Sequence, residues 1–339
     1  MMVRRMPARR SRLTLSILAA LMITLAGSST FAVDDNLTKG ATNNHVFESG
    51  IWGENIDTLN GGLNLTIPLG PAYGVSADLS YQVRLNYSSK IWDQNGLNYS
   101  RAARSRLSGR GQAGLGFTLQ MGRYYKHADQ ADCPTYTYVF EDQSGAAHPE
   151  YGVRGSPDGS FLKIWSSGVV LPGGTYMTLG HQVEDRLSES GQPLPACSPG
   201  YGIPTYDTWT NDYRGNYVTR IESKQSDPNV WVNISYEGQT DPQDPNHDGM
   251  RHLMHEIRDS QGRVVSFLNR KPIGATTLDS GFVESVTVPV FSVDPNTPAT
   301  ATYGFEYQQM QPYDAFTRQN TYESVAVLTK ITFPGGHEM

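Results

Sequence analysis

The sequence predicts an all-β protein of short antiparallel strands in sandwich-like or curled sheets, with many glycine and proline turns. Two observations predict this class. The 339 residues include 34 glycines, 20 prolines and 19 tyrosines. Glycine and proline interrupt helices, whereas tyrosine suits a pleated, half-buried surface. Apolar residues also alternate with polar ones along segments 63–69 and 79–87, which is the period of a strand with one buried face.

Further strands are expected where the same composition and alternation recur, at 209–221, 230–236, 283–291 and 302–307. Turn signals separate these segments, among them NGG at 60–62, PDG at 157–159 and PGG at 172–174. Segment 322–331 is the best candidate for helical spacing, but it fits a strand as well.

Residues 1–32 resemble a secretory signal peptide, which would form a helix and be cleaved. Five arginines between positions 4 and 12 precede an apolar stretch at 13–26, and small residues follow at 27–32. The apolar stretch is shorter than the roughly 20 residues that a membrane helix needs, although a retained anchor is the alternative. We therefore expect a secreted or cell-surface protein that meets the membrane only during export.

Cleavage after Ala32 would remove five positive charges, so the formal net charge would fall from −6 to −11. Binding to nucleic acid or to an anionic membrane surface needs clustered lysine and arginine. The mature chain is therefore not expected to bind nucleic acid.

Composition divides the mature chain into four segments. Residues 33–50 are polar and lack periodicity, so they are expected to be a flexible leader. A first β block at 51–184 and a second at 206–339 flank a loop or linker at 185–205 that is rich in serine, proline and glycine. The sequence does not decide between two domains and one continuous sheet system.

Cys133 and Cys197 are the only two cysteines. An exported protein leaves the reducing cytosol, so these residues can form a disulfide, and two free thiols are the alternative. A bond across so long a loop would stabilise the fold by roughly 4 kcal/mol through the entropy of the unfolded chain.

One segment has the pattern of a calcium loop. Residues 244–249 read DPNHDG, which places oxygen-bearing side chains at alternate positions and a glycine at the turn. The expected ligands are Asp244, Asn246 and Asp248. The twelfth position is His255 rather than glutamate, with Glu256 one residue later. A solvated surface turn explains the same composition.

No catalytic constellation is predicted. The histidines are scattered, and the sequence lacks a nucleophile elbow, a phosphate loop and a cofactor fingerprint. No cofactor other than calcium is expected. Trp52, Trp92, Trp165, Trp209 and Trp231 could stack on sugars, so the alternative function is a secreted β-sandwich that binds or hydrolyses carbohydrate.

Several segments resemble the N-terminal part of an RHS-repeat (YD-repeat) protein. They are DTLNGGLNLTIPLG at 57–70, LSYQVRLNYSSKIW at 79–92 and GLGFTLQMGRYY at 114–125, where Phe117 replaces the usual tryptophan. NDYRGNYVTRIES at 211–223 and MHEIRDSQGRVVSFLNR at 254–270 resemble the repeating D-x-x-G-R unit, and LTKITFPGG at 328–336 resembles the opening of another.

The resemblance implies an exported structural or interaction module without catalysis of its own. In this family the repeats build a β-sheet shell. The implied partners are downstream RHS repeats or a separate protein chain, which would contact strand edges and aromatic patches.

Overall fold

The computed structural model describes part of the chain, and the structure is discussed below for that part alone. The described residues are 46–48, 54–57, 62–89, 92–93, 104–105, 112–128, 136–150, 156, 158–183, 186–188, 210–212, 215–223, 229–239, 250–271, 281–291, 299–310, 313–314, 319–320 and 325–339.

Every regular element in this part is a β-strand. In the first half of the chain the strands are β1 (Val46–Glu48), β2 (Glu54–Asp57), β3 (Gly62–Pro68), β4 (Tyr73–Gly74), β5 (Ser80–Tyr81), β6 (Arg84–Ser88), β7 (Trp92–Asp93), β8 (Arg104–Ser105), β9 (Phe117–Thr118), β10 (Arg123–Ala128), β11 (Tyr136–Glu141), β12 (Ala147–Pro149), β13 (Lys163–Trp165), β14 (Gly168–Val170) and β15 (Thr175–Val183).

In the second half they are β16 (Arg186–Ser188), β17 (Thr210–Asp212), β18 (Gly215–Ser223), β19 (Trp231–Tyr236), β20 (Met254–Asp259), β21 (Val264–Arg270), β22 (Phe282–Val290), β23 (Ala299–Met310), β24 (Tyr313–Asp314), β25 (Gln319–Asn320) and β26 (Val325–Thr332).

The predicted fold class is confirmed, because the described chain is all-β and its strands pair antiparallel. Segment 322–331, which fitted either a helix or a strand, contains most of β26. Among the described residues, no helix is long and apolar enough to cross a membrane. The expected signal helix lies outside the described residues.

Two predicted strands are each divided. Segment 79–87 contains β5 and β6, which pair with different partners, β4 and β3. Gln82 and Val83 separate them, and Val83 uses its carbonyl to accept a hydrogen bond from the Leu69 backbone at 2.9 Å. Segment 209–221 likewise contains β17 and part of β18, which belong to different sheets.

The two larger sheets have different sizes. One has five strands in the order β1-β2-β3-β6-β9. The other has thirteen strands, with a main path β12-β11-β10-β18-β19-β20-β21-β22-β23-β26. From β18 to β23 each strand pairs with the next in sequence, so this part grows by successive hairpins.

The thirteen-stranded sheet branches at β18. β15 pairs along the length of β18, from Gly215 to Ser223. β10 pairs with Asn216 and Tyr217, whereas β19 pairs with residues 220–222. Because a strand has only two edges, β10 and β19 share the edge that β15 leaves open.

Strands from both sides of the 185–205 segment therefore pair in one sheet, since β15 precedes that segment and β18 follows it. All described residues also belong to one compact unit, Thr38–Met339. The boundaries proposed for the leader, the two blocks and the linker remain predictions.

The buried apolar side chains of the described residues form one core cluster. The predicted alternation is visible in burial, since Leu79, Tyr81, Val83 and Leu85 are all at most 5% exposed. They pack in the same cluster as residues from β18 to β22, among them Val218, Val232, Ile257, Val265 and Val286. Burial of this apolar surface stabilises the packing of segment 79–85 against strands β18 to β22.

Candidate functional site

The site begins with the turn that joins β20 to β21. Asp259 donates its backbone N–H to the Arg263 carbonyl at 3.1 Å, and Gly262 donates to the Asp259 carbonyl at 3.0 Å. Gly262 has φ +83°, where a side chain would be strained. The pattern is that of a three-residue hairpin loop closed by a left-handed glycine. The aspartate and glycine of the D-x-x-G-R motif at 259–263 are therefore residues that this turn requires.

Three other turns in the described part of the chain have the same two backbone hydrogen bonds: 142–146, 171–175 and 333–337. The fourth residue of each is a glycine, namely Gly145, Gly174 and Gly336, with φ between +84° and +85°. The first residue differs, being aspartate only at 142 and 259. These two aspartates can satisfy further donors inside the loop.

The Asp259 carboxylate accepts four hydrogen bonds. Its Oδ1 accepts the backbone N–H groups of Gln261 and Arg263 at 2.9 and 3.0 Å. Its Oδ2 accepts Arg263 Nε at 2.6 Å and the Tyr81 hydroxyl at 3.2 Å. The Asp259 side chain is 0% exposed. A buried carboxylate needs such partners to offset its lost hydration.

The same turn binds the 73–81 hairpin, which comprises β4, β5 and the loop between them. Arg263 donates from Nη2 to the Gly74 carbonyl at 2.7 Å, and Gln261 donates from its side chain to the Val75 carbonyl at 3.2 Å. The Arg263 guanidinium lies 5.3 Å from the centre of the Tyr73 ring. The part of the chain before β10 is called the leading block below. The D-x-x-G-R turn joins this block to the large sheet, and we call the turn the Asp259 staple.

Both tyrosines of this hairpin stay protonated. Burial, and then the charge of Asp259, raise the pKa of Tyr81 far above its ordinary value. Burial, and then Tyr303, raise the pKa of Tyr73 to about 12. Tyr81 is therefore a permanent donor to Asp259 at physiological pH, which suits a structural contact.

A second cluster surrounds His148. Its Nδ1 lies 2.5 Å from Asp158 Oδ2, and its Nε2 lies 3.1 Å from Asp142 Oδ2. The fifth residue of the Asp142 turn is Ala146, which carries no charge. His148 therefore supplies the cation beside Asp142, as Arg263 does beside Asp259. Both ring nitrogens face carboxylates, which leaves His148 poorly placed to act as a base on a substrate.

Burial alone would lower the pKa of His148, but its hydrogen bonds and charge interactions with Asp142 and Asp158 raise it above 6.5. Burial would raise the pKa of Asp142, but hydrogen bonds from His148 and Ser144 lower it below 3.8. The pKa of Asp158 is also lowered below 3.8. The three groups therefore stabilise one another as ions.

A third cluster is a row of side chains directly opposite one another on four neighbouring strands. Glu141 of β11 faces Arg123 of β10, Arg123 faces Tyr217 of β18, and Tyr217 faces His181 of β15. All four are at most 8% exposed. Arg123 Nη2 lies 3.2 Å from Glu141 Oε2. We call these residues the buried row.

The calcium ligands expected from the sequence, Asp244, Asn246 and Asp248, lie outside the described residues, as do Cys133 and Cys197. Both assignments remain predictions. No group of three metal-ligating side chains is present in the ranges that the structure describes. Of the flanking residues, His255 is 60% exposed and lies 3.4 Å from Glu237, while Glu256 bonds to Arg258.

Comparisons with known proteins give distant structural matches only. No family model matches the chain, and neither does any curated protein. A crystal structure of TcdB2-TccC3 matches 89% of this chain and 17% of that chain, with 11% identity and a TM-score of 0.40. The Photorhabdus luminescens Tc holotoxin pore matches 89% and 16%, with 10% identity and a TM-score of 0.40. A TcdB2-TccC3-TEV structure matches the same shares with a TM-score of 0.34. The chain spans about one sixth of the solved chains that it matches.

Replacing Arg263 by alanine should lower the free energy of unfolding by about 2–3 kcal/mol, because it removes the cation beside a buried carboxylate. Arg263→Lys should recover part of this loss, since an ammonium group cannot reproduce the fork that contacts both Asp259 and Gly74. Urea unfolding measures both changes.

Arg258→Ala is the matched control on the same hairpin. Arg258 is 52% exposed and pairs with Glu256, and such surface pairs contribute little to stability. Equal effects of the Arg263→Ala and Arg258→Ala changes would contradict the staple.

Proposed function

We propose that this chain is an exported structural module, without catalysis of its own, that resembles the N-terminal part of an RHS-repeat protein. Its work is to hold a leading block against a growing sheet and to offer strand edges to following repeats or a partner chain. The observation that carries the proposal is the Asp259 staple, in which a D-x-x-G-R unit contacts the leading block directly.

The hydrogen bonds that three aspartates accept support a structural role. The carboxylates of Asp142, Asp158 and Asp259 each accept hydrogen bonds from the protein's own turns and cations. A catalytic carboxylate would instead be directed at a cleft where a substrate can bind. These groups are arranged to fix hairpins.

The edge of β26 supports a role in strand pairing. The turn at 333–337 reverses the chain, and Ile331 and Met339 then exchange two backbone hydrogen bonds of 2.9 Å. Residues 337–339 thus lie along β26 as an additional antiparallel strand would. We infer that the sheet is extended at this edge, either by further repeats in a longer chain or by a separate chain.

The proposal is tested on the protein collected from the culture medium of its producing cell. We expect an N-terminus at Val33 and, with a photo-crosslinking residue at Met339, a covalent product with another polypeptide. Met339 is 49% exposed and lies beside the β26 edge. Mass spectrometry identifies both products.

Asp78, an exposed position in the 73–81 hairpin, is the control site for the same crosslinker. A protein that keeps residues 1–32 and stays inside the cell would contradict export. Polypeptide products that form equally well from Asp78, or that never form from Met339, would contradict pairing at β26.

A carbohydrate-binding role is the second candidate, favoured by one exposed strand. Phe161, Lys163 and Trp165 alternate with the buried Leu162 and Ile164, so they share the outward face of β13 and its approach. Phe161 is 76% exposed and has φ +58°, while Trp165 is 41% exposed. Exposed aromatic rings on a sheet can stack on the apolar faces of sugars.

If the chain binds carbohydrate here, a glycan array should give signals that Trp165→Ala reduces at least tenfold. Tyr138→Ala is the control, because Tyr138 is 45% exposed but stacks on Tyr124 instead. Polysaccharide turnover by the same protein would contradict the non-catalytic proposal. An array without signals removes this second candidate.

A further inference from the structure

The buried row is covered by a short segment that contains two basic groups. Residues 250–253 directly precede β20, and His181 Nε2 lies 2.8 Å from the Arg251 carbonyl. His252 is 0% exposed and Leu253 is also buried. The segment therefore seals the branch at which β10, β15 and β18 meet.

Aromatic rings separate the charges at this branch. His181 stacks on Tyr236 of β19 with ring centres 4.6 Å apart and planes at 6°. Tyr236 donates to the Val218 carbonyl at 2.7 Å and contacts Tyr217 edge-on. The Arg123 guanidinium lies 4.3 Å from the Tyr125 ring. The packing is close, so any added charge remains in a poorly hydrated place.

Arg123 already brings a permanent positive charge to this place, and Glu141 is the carboxylate that pairs with it. Protonation of His252 would add a positive charge near Arg123 and His181, and protonation of His181 would add one near Arg251. Like charges in a low-dielectric interior repel strongly.

We propose that the buried row and the 250–253 segment form an acid-labile junction, which opens locally when His181 and His252 become protonated. The 250–253 segment would separate from β15 and β18, while the sheet from β21 to β26 stays paired. Separation of this segment would uncover side chains of β15 and β18 that are buried at neutral pH, among them His181 and Tyr217. This inference concerns regulation of the proposed structural module and rests on the burial and neighbours of the two histidines.

The direction of the pH effect follows from the two imidazoles. Burial, and then the charges of Arg123 and His181, hold the pKa of His252 well below 6.5. Burial lowers the pKa of His181 more than its bond to the Arg251 carbonyl raises it. Groups of this kind stay neutral in the fold while the unfolded chain binds protons. Their contribution to stability is therefore present above pH 6.5 and is lost as the pH falls towards the folded pKa.

The pKa of His148 shifts in the opposite direction. Because its pKa is raised in the fold, its contribution is fully present below pH 6.5 and is lost as the pH rises through the folded pKa. The carboxylates Asp142 and Asp158 contribute above pH 3.8. Between pH 6.5 and 3.8, acidification therefore leaves the His148 cluster intact and loosens the buried row.

Hydrogen exchange followed by mass spectrometry on the whole chain tests the proposal at pH 7.5 and 5.5, with rates corrected for intrinsic exchange. At one pH unit below 6.5, opening should increase roughly tenfold for each protonated histidine. At pH 5.5, peptides covering 175–183 and 250–257 should lose protection against hydrogen exchange, whereas a peptide covering 325–332 should keep it. In the double variant His181→Phe, His252→Gln the loss should disappear.

His148→Gln is the control and should leave the acid response at 250–257 intact. The proposal is overturned if protection of both peptides is the same at the two pH values, or if the double variant still loses it. Should the double variant fail to fold, NMR titration of the histidines in the unmodified protein decides. An imidazole of His181 or His252 that titrates at or above pH 6.5 overturns the junction.

Discussion

The hydrogen bonds of the Asp259 carboxylate are the interaction on which the packing of the leading block against the large sheet depends. The carboxylate is fully buried, so it must be matched by donors, and these come from two parts of the chain that are far apart in sequence. The turn itself supplies two backbone N–H groups and the Arg263 guanidinium, while Tyr81 supplies a hydroxyl from 178 residues away. The turn is completed only when the 73–81 hairpin is in place, which couples local hairpin formation to the packing of the leading block.

The other polar clusters follow the same rule at different places in the sheet. His148 takes the place of the arginine beside Asp142, and it also ties that turn to Asp158. Arg123 and Glu141 neutralise each other where the sheet branches at β18. Buried ion pairs of this kind add little net stability compared with apolar packing, but breaking one is costly. We therefore expect them to favour one register of strands over others.

Local patterns in the sequence predict much of this structure. Alternation identifies β19 and β22, because one face of each is buried, and the spacing of Asp259 and Gly262 identifies the turn. In β3 the alternation predicts the strand, but Leu63 of the expected core face is 37% exposed and Asn64 is buried. Pairings between distant segments carry no local signal. The branch at β18 brings together strands from both sides of the 185–205 segment, and neither composition nor periodicity encodes that meeting. The alternation of segment 79–87 places Tyr81 on the buried face of its strand, but only tertiary packing makes its hydroxyl a partner of Asp259. His148 and His181 looked equally scattered, yet their pKa values shift in opposite directions.

The central claim is that Asp259 joins the leading block to the large sheet through Tyr81. A double-mutant cycle of Asp259→Asn with Tyr81→Phe, measured by urea unfolding, tests it most directly. The account predicts that the two substitutions are non-additive, with a coupling energy on the order of 1 kcal/mol or more, as for a hydrogen bond to a charged group. Strict additivity of the two losses would contradict it, because the hydroxyl and the carboxylate would then stabilise the fold independently.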